Sequence, residues 1–171
     1  MKTRMIAAGL ISTAAVGAGL VGLGSGPATA ADSMPACGNA DLVASYTYSD
    51  AGAGHTYGWI VLKNVSGHSC HTGGFGGISY VGHGDGTQIG AAAAREGRSY
   101  RLVVKPGTKI RSLVDEVDAG AYSTKKCKPT HVDGFRVYVP NATVSQYVAH
   151  PTTGCANDAV ELLSHRSYRH A

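Results

Sequence analysis

Phe135-Arg136-Val137-Tyr138-Val139 is the most regular stretch of this chain. Phe135, Val137 and Val139 share one face and Arg136 and Tyr138 the other, the period-two pattern of a strand buried on one side. Pro140-Asn141 then turns the chain into a second apolar run at residues 144–148. The same unit recurs on either side. Leu42, Ala44, Tyr46 and Tyr48 alternate with Val43, Ser45 and Thr47, and residues 57–65 carry Trp59, Ile60, Val61 and Leu62. Further strands are expected at residues 78–81, 100–105, 109–117 and 160–163. Between them lie turn signals at residues 50–54 and 64–67, at Gly84-Asp85-Gly86 and at Pro106-Gly107. Residues 91–94 have helical composition, but Gly90 and Gly97 confine them to a turn. Seven to nine short strands without a convincing helix predict an all-β, antiparallel β-sandwich. The alternation places Leu42, Trp59, Val61, Ile78, Leu102, Val104, Val137 and Val139 in the core between the sheets.

The amino terminus has the composition of an export signal. Lys2 and Arg4 precede an apolar run of small residues, Pro27 follows, and Ala28-Thr29-Ala30 is a small-x-small cleavage site. We expect residues 1–30 to be removed between Ala30 and Ala31, leaving a short loose leader at 31–36 and one domain at 37–163. An uncleaved anchor fits less well, because the cleavage site directly follows the apolar run. Cys37 lies too far beyond that run for a lipoprotein. No later segment is apolar enough to cross a membrane.

Cys37, Cys70, Cys127 and Cys155 all follow the expected cut, and an even count in an oxidising compartment reads as two disulfides. Of the three possible pairings, the sequence-local one, Cys37–Cys70 with Cys127–Cys155, suits antiparallel neighbours that return to the same end.

Of the 15 Lys and Arg residues, Lys2 and Arg4 leave with the signal, so against 11 acidic residues the mature side chains carry a net of +2. That is too little to argue for nucleic acid. Residues 164–171 are basic and lack an apolar pattern, so they are expected to form a mobile tail. Within it His165, Arg166, Arg169 and His170 could contact anionic wall polymers or lipid headgroups, more strongly below about pH 6.5 as the histidines protonate.

Several motifs in order resemble one family. They are Cys37 with Asp41-Leu42, then Val61-Leu62-Lys63-Asn64-Val65-Ser66 with Cys70. Gly74-Phe75-x-Gly77-Ile78 and Val104-x-Pro106-Gly107 follow, and Cys127, residues 135–140 and Cys155 close the set. The chain is similar to the exported actinobacterial proteins grouped as domain-of-unknown-function family 4232. The resemblance implies a secreted or envelope-associated sandwich of immunoglobulin-like character, and it brings no activity and no catalytic residues. Thr72 and Gly76 depart from the family's apolar residue and proline, which loosens the glycine-rich loop.

Residue chemistry adds little to this. The seven glycines of residues 73–86 lack the Gly-Lys-Ser/Thr ending and helix of a phosphate cradle. His68 and His71 flank Cys70 without the second pair of ligands that zinc needs. Asp115, Glu116 and Asp118 read as a solvated strand end, and Asn64-Val65-Ser66 and Asn141-Ala142-Thr143 as turns. No catalytic, cofactor or metal residues are assigned. The expectation is a monomeric, non-catalytic secreted or cell-envelope domain that binds a wall polymer or an extracellular protein through its loops. A secreted hydrolase or protease inhibitor, using residues 68–77, is the alternative. A secreted enzyme, with a triad assembled across the fold, is the remaining one.

Overall fold

The computed structural model describes residues 34–171, so the expected signal segment, the cut at Ala30 and Ala31 and the first residues of the leader lie outside the described residues. Twelve strands make up most of the rest. They are β1 (Leu42–Gly52), β2 (His55–Asn64), β3 (Cys70–Gly73), β4 (Gly77–Gly82), β5 (Thr87–Ile89) and β6 (Ala94–Glu96), then β7 (Arg101–Val104), β8 (Lys109–Val117), β9 (Pro129–Tyr138), β10 (Ser145–Cys155), β11 (Leu163–Arg166) and β12 (Arg169–His170). Two short helical turns, a 3-10 turn at Ala119–Ala121 and α1 (Thr124–Cys127), the latter capped by the Ser123 side chain, lie between β8 and β9.

The strands form a large sheet in the order β1-β2-β8-β11-β6, with β12 also on β8, and a second sheet in the order β10-β9-β4-β5. β3 and β7 pair separately. All pairings are antiparallel except β11 with β6. The two larger sheets share one core. Leu42, Ile60, Leu62, Ile110 and Val114 come from the first and Ile78, Tyr80, Val132, Phe135 and Val137 from the second. The β1–β2 hairpin turns on Ala53 and Gly54, both at positive φ, which matches the twist of the flanking strands.

The expected core needs one correction of register. Leu42, Ile78, Val104, Val137 and Val139 are buried, but Trp59 and Val61 are only half-buried on the outer face of β2, and Leu102 packs at the core's edge. Ile60 and Leu62 take the inward positions. Residues 59–62 are apolar on both phases, so alternation alone does not choose between them. The phase follows from Gly58, which lies inward beneath the Tyr46 ring. A Cβ there would sit 2.3 Å from that ring.

Disulfides join Cys37 to Cys70 and Cys127 to Cys155, with Cα separations of 5.0 and 4.6 Å. Each closes a loop of a size worth about 3–4 kcal/mol in the chain-entropy account. The end of the leader is not loose. Pro35 accepts a hydrogen bond from the His71 amide, Cys37 donates one to the His71 carbonyl, and Ala36 bridges to His71. Residues 91–94 form no helical turn, and β6 begins at their end.

The carboxyl terminus is the larger correction. Residues 164–171 are not a mobile tail. β11 and β12 lie in succession along the edge of β8, the second one residue out of step with the first. The slip is a bulge at residues 166–168 that turns Tyr168 wholly into the core. His165 is also buried. Its Nδ1 lies 3.2 Å from Ser112 Oγ, its ring meets Phe75 edge-on, and its Nε2 is unpartnered. The polar composition of residues 164–171 hides this, because the pattern that docks them rests on two amphipathic rings rather than on aliphatic residues.

Burial, reinforced by the nearby Arg95 charge, lowers the His165 pKa to about 4. The folded protein therefore keeps the ring neutral, while the unfolded chain protonates it near its ordinary value. Stability from this group is complete above about pH 6.5 and is lost as pH falls toward 4, by up to about 3 kcal/mol. Urea unfolding of the parent and of His165→Leu at about pH 7.5 and about pH 4.5 should show the parent losing more stability by roughly that amount. Equal losses in the two proteins would place the acid sensitivity elsewhere.

Candidate functional site

The most elaborate side-chain constellation centres on β8. Its inward positions are Ile110, Ser112, Val114 and Glu116, and Glu116 is only 5 % exposed. Three donors from three other strands converge on that carboxylate. Tyr46 of β1 donates its hydroxyl to Oε1 at 2.9 Å, Tyr80 of β4 donates to Oε2 at 2.6 Å, and His150 Nε2 of β10 lies 2.8 Å from Oε2. Phe135 packs among them, stacked on His150 at 4.6 Å and on Tyr80 at 5.4 Å, while Tyr46 lies 4.4 Å from His150. Burial and the Glu116 charge push both tyrosine hydroxyls above their ordinary pKa, so they act as donors throughout the accessible pH range.

The cluster floors an open cleft of about 630 Å³ between the tip of the β1–β2 hairpin, Asp118-Ala119 and Thr152-Thr153. A carboxylate has about four lone-pair positions, and three donors already occupy most of them. Glu116 is therefore better suited to holding two sheets together than to taking a proton from a ligand.

The remaining polar pairs do not assemble further. His55 Nδ1 lies 2.6 Å from Asp115 Oδ1, His68 Nε2 lies 3.3 Å from Asp41 and His131 Nε2 lies 3.3 Å from Asp133. The Ser–His contact, Ser112 with His165, is buried, Ser112 donates to the Arg166 carbonyl, and His165 Nε2 meets no carboxylate among the described residues. Among the described residues no three His, Cys, Asp or Glu side chains are arranged to hold a metal ion. Cys70 is in its disulfide, and His71 Nδ1 turns to the Met34 carbonyl at 2.8 Å. The glycine-rich stretch at 68–77 does not stand out as a loop, since Cys70–Gly73 is paired with β7 and Thr72 and Gly76 are buried. Asn64, in the first glycosylation-like motif, is fully buried. Its amide donates to the His68 and Val104 carbonyls, which is the work of a turn residue.

Two sequence expectations change here. Asp115 and Glu116 are not a shared solvated strand end, because strand alternation sends Asp115 outward to His55 and Glu116 into the core. Of the four tail residues expected to meet polyanions, His165 is inaccessible, whereas Arg166, Arg169 and His170 are exposed on ordered strands.

Cationic side chains are distributed differently from acidic ones. Among the described residues the ion pairs all use histidine, and no Lys or Arg lies within 4.0 Å of a carboxylate. Several of these cations share the outer face of the large sheet. Lys63 stands directly across from Lys109, and Arg111 directly across from Arg169. Both guanidinium groups approach the Trp59 ring, at 4.2 and 4.9 Å from its centroid.

Replacing Glu116 tests the central cluster. Glu116→Ala should cost about 3–5 kcal/mol, because it opens a cavity and leaves buried donors unsatisfied. Tyr80→Phe should cost about 1–2 kcal/mol by removing one donor. Chemical denaturation measures both, and a Glu116→Ala protein as stable as the parent would mean that the cluster does not hold the sheets.

Neither the comparison with curated proteins nor that with solved structures found a match. A protein family covers residues 37–164, from the first cysteine into β11, and so takes in both disulfides and the Glu116 cluster. This chain belongs to that family, which is described as a domain of unknown function, DUF4232.

Proposed function

We propose that the protein is exported, folds outside the cell as an immunoglobulin-like β-sandwich, and acts without catalysis by binding an anionic component of the cell envelope. The amino-terminal pattern of basic start, apolar run and Ala28-Thr29-Ala30 supports export, as do two disulfides, which persist in oxidising compartments. Among the described residues no helix is long and apolar enough to cross a membrane.

One observation carries the binding reading, namely the lack of carboxylate partners for Lys and Arg among the described residues. The mature net is only +2, so 11 acidic residues are present with which they could pair. Histidines hold four of those acids instead, at Asp41, Asp115, Glu116 and Asp133. Most of the cations are left facing solvent, Arg111 and Arg136 being half-buried, and there they attract anions through a field that salt screens.

Two measurements test this reading. Intact mass of the protein recovered from culture fluid should correspond to a chain beginning at Ala31, and a species retaining residues 1–30 would contradict export with cleavage. The purified mature protein should be retained on isolated cell walls at low ionic strength and released by salt. Absence of retention at low ionic strength would remove the binding reading.

A further inference from the structure

We propose that the outer face of the β2–β8–β12 region is a docking surface for a linear polyanion carrying repeated phosphate esters, of the kind found in cell-wall polymers. The proposal rests on the anion-binding reading above and gives it a place and a ligand chemistry. β8 presents Lys109 and Arg111 outward, two residues apart on one face. β2 sets Lys63 against Lys109, and β12 sets Arg169 against Arg111. Like charges directly opposite in an antiparallel pair are destabilising, and here two such pairs adjoin. Arg111 Nε is buried without a partner, so one guanidinium is held in place without a hydrogen bond at that atom. The face continues past Arg169 into a hollow of about 330 Å³, where Arg98, Arg166 and Tyr100 join it and Glu96 is the acidic member.

Protection of a sheet edge is the simplest other account of such charges. Lysines and arginines on edge strands do discourage pairing with other chains. That account serves for Arg169 on β12. It does not serve for Lys63, Lys109 and Arg111, which lie on β2 and β8 in the interior of the sheet. A ligand that neutralises several of them at once removes the repulsion between them.

The arrangement of the cations selects the kind of anion. Strand geometry spaces them by roughly 5 Å across the sheet and roughly 7 Å along it, which suits repeated charges on an extended chain better than one isolated anion. Single-stranded nucleic acid also carries repeated phosphates, but it binds open sheets by stacking bases on aromatic rings. Of the rings on this face, Trp59 already has two guanidinium groups against it and Tyr57 is stacked on His55, which leaves the single ring of Tyr100 in the hollow. A polymer without bases therefore fits better.

The test uses the mature protein, isolated walls, poly(glycerol phosphate) and oligothymidylate. The parent should bind walls and poly(glycerol phosphate), with affinity falling steeply as salt rises. Lys109→Glu places an acid opposite Lys63 and should raise the melting temperature while weakening polymer binding at least about tenfold. Lys63→Gln with Lys109→Gln should weaken binding and lower the salt slope by about 1 for each phosphate no longer neutralised. Lys125→Gln with Lys126→Gln, on α1, should leave both unchanged. Opposite movement of stability and binding in Lys109→Glu is the signature, since a merely unfolded variant would lose both. If walls retain the parent and both face variants equally, the face is wrong while the anion-binding reading stands. If the parent binds neither walls nor poly(glycerol phosphate) at low salt, both fall. If oligothymidylate binds as tightly as poly(glycerol phosphate), the assignment to a base-free polymer is overturned.

Discussion

One buried carboxylate ties the two sheets together. Glu116 sits on β8 in the large sheet and accepts from Tyr46 in the same sheet, while Tyr80 and His150 reach it from the other. An isolated buried charge is costly, so the position is tolerable only while its donors remain in place. That requirement propagates outward. Tyr46 needs the space that Gly58 leaves, which fixes the phase of β2, and His150 needs the stack on Phe135, which orients β10 against β9. Facing apolar surfaces supply most of the driving force for folding, but they are non-directional. The carboxylate with its three donors gives the two sheets a relative position.

β8 carries opposite chemistry on its two faces, and alternation keeps them apart. Inward, Ser112 is fully buried, Glu116 is nearly so at the floor of the cleft, and both are satisfied by neighbours. Outward, Lys109 and Arg111 have no carboxylate partner among the described residues. A polar residue on the inner phase is therefore part of the scaffold, whereas one on the outer phase is free to meet another molecule. Asp115 shows the boundary between these roles, since it points outward but is already held by His55 at 2.6 Å.

Legibility in the sequence followed the locality of each pattern. Residues 135–138 of β9 are legible because they alternate within their own length, while residues 129–134 of the same strand carry no such signal. The bounds of β8 are legible despite an imperfect alternation, and the cysteine pairs joined are the sequence-local ones. β2 was ambiguous, because Trp59-Ile60-Val61-Leu62 is apolar on both phases and the deciding neighbour, Tyr46, sits on another strand. The Glu116 cluster was illegible for a related reason. Its partners lie 34 to 70 residues away, and a carboxylate beside two aspartates has the composition of a surface. Residues 164–171 misled in the same way, since His165 and Tyr168 are ring residues whose burial depends on Ser112, Phe75 and the bulge. Burial of polar or amphipathic side chains is decided by partners distant in sequence, and single-chain periodicity does not encode them.

The ordered carboxyl terminus also changes the energetics of any binding by this end of the chain. A mobile tail bearing Arg166 and Arg169 would have to lose backbone freedom each time it docked, and that cost would offset much of the gain from each charge contact. Here the cost is met on folding. Tyr168 and His165 anchor the segment in the core, and Arg169 is set beside Arg111 before any ligand arrives. Its repulsion with Arg111 is offset within the fold by the Trp59 ring, against which both guanidinium groups lie. The buried rings of the last eight residues and the exposed charges between them are thus one device, in which core packing holds like charges closer together than they would settle in solution.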